Sequence, residues 1–181
     1  MLQALAQKNE LPPSMLHRLS GLDCEVSYRL LSPIEASQEE SFSLPLTIYE
    51  NWLVYQSIIP VCHDQHSPYV EHDGVGNLFT LDVVKSVPID FRCTLLGQIH
   101  TGPYQFDATG MLLTDLKKKE PNNEACYVAA YQAYKSREAC FFSVNWAVDH
   151  NVVISCSTVI LPLLDKNTGF VSRLFGCSDW T

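Results

Sequence analysis

Residues 140–177, CFFSVNWAVDHNVVISCSTVILPLLDKNTGFVSRLFGC, decide how this chain reads. From 140 to 148, Cys140, Phe142, Val144, Trp146 and Val148 alternate with Phe141, Ser143, Asn145 and Ala147. That is a period of two, the spacing that puts alternate side chains on one face of a strand. Asp149-His150-Asn151 predicts a turn, and 152–164 a long return strand. Residues 165–169 predict a hairpin loop, with Gly169 able to take positive φ, and 170–177 predict the last strand. Three strands joined in sequence by tight turns must be antiparallel.

Before this meander, 124–135 predicts a helix carrying Cys126, Val128, Ala129, Ala130, Tyr131, Ala133 and Tyr134. Residues 97–115 hold Gly102, Pro103 and Gly110 and predict short helices and turns. The β-branched runs 78–87 and 89–96, parted by Pro88, predict two more strands. Residues 1–77 predict a helical amino-terminal segment and an acidic loop. Short helical pieces lie on either side of Pro12-Pro13, a longer helix covers 46–59 and closes at Pro60, and 63–76 is a polar loop. The expected class is α+β: a five-stranded antiparallel sheet with helices on one face.

In residues 78–181, Phe91-Arg92-Cys-Thr-Leu-Leu-Gly97 resembles the F-R-x-x-L-x-G strand ending of a proteobacterial PAS-like domain family. Asp107-Ala-Thr109-Gly110 is similar to that family's R-D-L-T-G segment. Val159-Ile-Leu161-Pro162-Leu163 is similar to its L-L-L-P-L strand, and Leu174-Phe175-Gly176 to its closing I-L-G. The family's Arg before Asp is Phe106 here, and the charged pair it often sets before L-L-L-P-L is Ser157-Thr158. The resemblance implies a stand-alone sensory or adaptor domain that binds a small ligand or a partner protein in signal transduction and forms a homodimer. It implies a pocket between the sheet and the short helices. Phe142, Val144 and Trp146 would line it from the sheet, and His100, Tyr104 and Phe106 from the helical side.

Charge supports a protein partner over a nucleic acid. The chain has 181 residues and a formal net charge of −8, the wrong sign for gathering phosphates. The excess sits in front: residues 1–77 hold three basic against ten acidic residues, and 78–181 hold nine against ten. No basic n-region with an apolar core opens the sequence, and no uncharged run reaches the ~20 residues of a spanning helix. A cytoplasmic protein with no membrane span is expected. Seven cysteines without a C-x-x-C read as reduced, mostly buried thiols.

Two further chemistries are weighed. His100 could ligate haem or hydrogen-bond another small ligand. Cys62, His63, His66 and His72 are metal-ligating types within a dozen residues, which makes a metal-binding protein an alternative to a solvated loop. No phosphate-binding loop, nucleophile elbow or full dinucleotide fingerprint occurs, so no catalytic residue is assigned. A small enzyme using the same cavity is the other alternative.

Overall fold

The computed structural model describes residues 24–56, 76–98, 100, 107–119, 123–148, 151–165 and 167–181. The elements are β1 (Cys24–Leu31), α1 (Pro33–Ala36), a 3-10 turn (Glu40–Phe42), α2 (Ser43–Gln56), β2 (Leu78–Val84), β3 (Asp90–Leu96), α3 (Leu113–Lys119), α4 (Asn123–Ser136), β4 (Cys140–Val148), β5 (Asn151–Leu164) and β6 (Val171–Trp180). The short helical pieces expected before residue 20, the 63–76 loop and the turn at Asp149-His150 lie outside the described residues.

The six strands form one sheet in the order β1-β4-β5-β6-β2-β3, and every pairing is antiparallel. This corrects the expected five-stranded sheet. The sixth strand comes from the segment expected to be helical, where Val26, Tyr28 and Leu30 alternate with Glu25, Ser27 and Arg29. That period of two is a strand signal, and β4 supplies its ladder, from Cys24 opposite Val148 to Leu31 opposite Phe141.

The expected single covered face is corrected as well, because both faces of the sheet are buried. On the front lie α3 and α4, whose Ala125, Ala129, Ala130 and Ala133 have no exposed surface. Four alanines on one helical face let α4 lie close against β4 and β5. On the back, α1, the 3-10 turn and α2 place Ala36, Phe42, Ile48 and Trp52 over Leu31, Leu78, Phe141, Val159, Leu161, Phe175 and Cys177. A strand buried on both faces has apolar residues at odd and even positions alike. Cys140, Phe141, Phe142, Val159, Ile160 and Leu161 show that pattern.

The two sheet edges differ. Segment 110–112 runs along the outer side of β3. Cys93 donates its N–H to the Met111 carbonyl (3.0 Å), Gly110 donates to the Cys93 carbonyl (2.7 Å), and Arg92 forms a bridge with Leu112. Gly110 has φ 87°, a left-handed turn suited to glycine. No strand among the described residues pairs with the outer side of β1.

Candidate ligand-facing patch on the front of the sheet

At one end of the sheet β4 and β6 finish while β2 and β5 begin, and there the front face becomes polar. Thr158 lies opposite Ser178, and Cys156 opposite Trp180. The hydroxyls of Thr158 and Ser178 share a hydrogen bond of 2.8 Å, and the Cys156 thiol lies 3.5 Å from Thr158 Oγ1. Asn77 Nδ2 donates to the Ser178 carbonyl at 2.8 Å. Trp146 stacks on Trp180 with ring centroids 5.5 Å apart and planes 22° apart.

His100, which follows β3 in the chain, is tied to this patch through Asn77. Its Nε2 lies 3.0 Å from the Asn77 carbonyl oxygen, which can only accept, so Nε2 carries the proton and Nδ1 is the bare nitrogen. The ring meets Phe79 edge-on at 5.2 Å. Burial lowers its pKa to about 4, against a smaller opposing effect of the Asn77 bond, so the imidazole is neutral at physiological pH. Haem ligation through Nε2 would forfeit the Asn77 bond. Phe79 is seated over Gly176, where a Cβ would fall 2.0 Å from the Phe79 ring. Glycine at 176 is thus what admits Phe79, and with it the imidazole.

The thiols of this face are protonated. Burial pushes Cys156 up to about 12, and Cys93 and Cys140 up to about 11. It also raises Cys126, to which the nearby Cys93, Cys156 and Cys140 add. Cys93, Cys126, Cys140, Cys156 and Cys177 are free thiols, and all but Cys126 are buried. A thiol held so far above neutral pH is a small apolar group and not a nucleophile.

Two donors are left over. The indole nitrogens of Trp146 and Trp180 are sealed from solvent without a hydrogen-bond partner among the described residues, as is that of Trp52 on the back face. Trp52 is stacked on Tyr49 in an aromatic cluster, whereas the two front indoles are stacked on each other beside hydroxyls. A buried N–H without an acceptor costs ~1–3 kcal/mol, so two adjacent ones mark a place where an acceptor is wanted.

Of the residues expected to line a pocket, Phe142, Val144 and Trp146 share the front face of β4 and belong to the front core, and His100 is buried beside Phe79. Tyr104 and Phe106 lie outside the described residues, as do Cys62, His63, His66 and His72. Among the described residues no group of three or more His, Cys, Asp or Glu side chains could hold a metal ion. Asn77, Cys156, Thr158, Ser178 and Trp180 escaped the sequence reading. Their signal was the polar pair Cys156 and Thr158 interrupting the apolar even positions of β5 between Ile154 and Ile160. No helix among the described residues is long and apolar enough to cross a membrane. Comparison with known protein families, with curated proteins and with solved structures finds no match to this chain.

Proposed function

We propose that this chain is a sensory or adaptor domain that holds a small ligand against the front-face patch and passes the signal to a partner protein. The unpaired indole pair of Trp146 and Trp180 carries this reading. A compound with a flat apolar body and a carbonyl, carboxylate or ring-nitrogen acceptor would stack on the indoles and accept from their N–H groups. Thr158, Ser178 and neutral His100 add two hydroxyls and a bare Nδ1 in the same region, which suits a ligand with mixed donor and acceptor edges. The resemblance of residues 78–181 to the PAS-like family supports the same assignment. An enzyme at this patch would need an activated group. The thiols are held protonated and the imidazole Nε2 is committed to Asn77, so binding is favoured over catalysis.

The test is release and return of the ligand. The purified full chain is denatured and its small molecules identified by mass spectrometry. Tryptophan fluorescence then follows titration of the refolded protein with a panel of aromatic carboxylates and ketones. The expected result is a stoichiometric compound, or a panel member that quenches fluorescence, with affinity reduced about tenfold or more in Trp146→Phe. No released compound and no panel member affecting the fluorescence would sink the assignment.

A further inference from the structure

The two edges of the sheet are finished differently. The outer side of β3 is occupied by residues 110–112, whereas β1 ends the sheet as eight residues in unbroken register with β4. Natural edge strands are usually protected from one another by proline, lysine, a bulge or shortness. β1, CEVSYRLL, has no proline and no lysine, and its ladder shows no register shift. Its front face is also apolar and open: Val26 is 42% exposed, Tyr28 46% and Leu30 37%. These three stand beside Trp146, Val144 and Phe142 of β4, at the margin of the helix layer, where α4 reaches β1 and Lys117 comes near Tyr28, yet each keeps more than a third of its surface exposed.

The sequence of β1 is self-complementary about its centre. A two-fold axis through Ser27 sets Ser27 against its own copy, Val26 against the partner's Tyr28 and Glu25 against the partner's Arg29. On the front, both symmetric contacts are then apolar pairs. On the back, both are opposite charges at directly facing positions, the arrangement that favours a cross-strand pair. Moving the axis to Tyr28 sets Glu25 against the partner's Leu31, a buried residue of the back core. Arg29 is already oriented at this edge, because its Nε donates to Ser143 Oγ at 3.3 Å and its guanidinium pairs with Glu39.

We infer that β1 is a homodimerisation edge. Two copies pair antiparallel through β1 about Ser27, joining their six-stranded sheets into one continuous sheet. The interface covers Val26 and Tyr28 of each copy. It is independent of the ligand-binding reading, since it uses no residue of the front-face patch. It is isologous, the commonest form of closed assembly.

The experiment uses the full chain. Light scattering after size exclusion should give twice the chain mass, and Tyr28→Lys and Val26→Lys should each weaken association about tenfold or more. Thermal melts confirm that these surface substitutions leave the fold intact. Ser27→Cys tests the register, because facing positions of an antiparallel pair have Cα atoms about 4.5–5.5 Å apart, within disulfide reach. Under mild oxidation it should give a covalent dimer in high yield, while the unsubstituted chain and Ser136→Cys on the exposed end of α4 should not. A monomer at micromolar concentration overturns the proposal. So does a dimer insensitive to both lysine substitutions that fails to cross-link through position 27.

Discussion

The two faces of one sheet were built by different rules in this molecule. The back is held by an aromatic cluster, with the buried Ser157 hydroxyl paired to Ser41 beside it: Phe42 and Tyr49 both meet Phe141 edge-on, at 6.0 and 5.2 Å, and Tyr49 stacks on Trp52. The front is closed by small residues of α4 at one end and buries thiols, hydroxyls and indole N–H groups without a partner among the described residues at the other. Edge-to-face aromatic pairs add ~0.5–1.5 kcal/mol each beyond their burial, so the back holds the sheet together. Buried hydroxyls add little net stability and cost heavily when unpaired, so the front carries polar groups at the expense of packing. The aromatic cluster lies on the back, and the two stacked indoles whose N–H groups have no partner among the described residues lie on the front of the same sheet.

The largest break of this division should come from the back. Phe141 has no exposed surface and touches two aromatic rings, so Phe141→Ala removes a large buried side chain at the centre of the cluster. A loss of about 3–5 kcal/mol in urea unfolding is expected. Ligand binding at the front should persist wherever the variant is still folded.

A pH titration separates the faces next. His100 has a folded pKa of about 4 against an ordinary 6.5, and burial is the main cause. Above pH 6.5 the imidazole is neutral in both states and contributes no pH dependence. Between 6.5 and 4 the unfolded chain takes up the proton and the folded protein does not, so stability falls as the pH is lowered. The full shift corresponds to about 3 kcal/mol at one pKa unit per ~1.4 kcal/mol. Denaturant midpoints measured from pH 7 to 4 should fall in the native chain, and the His100-dependent part of the fall should vanish in His100→Gln. A slope unchanged by that substitution would show that the imidazole is not buried neutral.

How much of this could be read in the sequence depended on which face a residue serves. The strict alternation in 140–148 made β4 legible, and the hairpin residues 165–169 marked the join to β6. The front positions Phe142, Val144 and Trp146 followed from that alternation. β1 is poorly legible because its alternation of Val26, Tyr28 and Leu30 is short and lies between segments with helical spacing. The back layer was missed because Phe42, Ile48 and Trp52 give no sign of which surface they cover, and only the pairing of β1 with β4 brings their segment over the sheet. Asn77, Ser178 and Trp180 come from segments far apart in the chain, and their meeting depends on β2 pairing with β6 and β6 with β5. No local pattern encodes such a meeting.

The finest comparison lies in two adjacent residues of β5. Thr158 faces the front, hydrogen-bonded to Ser178, and Val159 faces the back among Phe141, Leu161 and Phe175. The two side chains are nearly the same shape, so exchanging valine and threonine changes polarity without changing volume. Thr158→Val removes one hydroxyl from the patch and leaves Ser178 short of a partner, a loss of about 1 kcal/mol. Val159→Thr inserts a hydroxyl where only apolar groups surround it, a loss of about 2 kcal/mol. Binding should reverse the order: Thr158→Val should weaken ligand affinity, and Val159→Thr should leave it unchanged in the folded fraction. Equal losses of stability for the two exchanges, measured in urea, would mean that the faces are not divided as argued. Equal affinities would remove Thr158 from the patch while leaving the indole pair to be tested on its own.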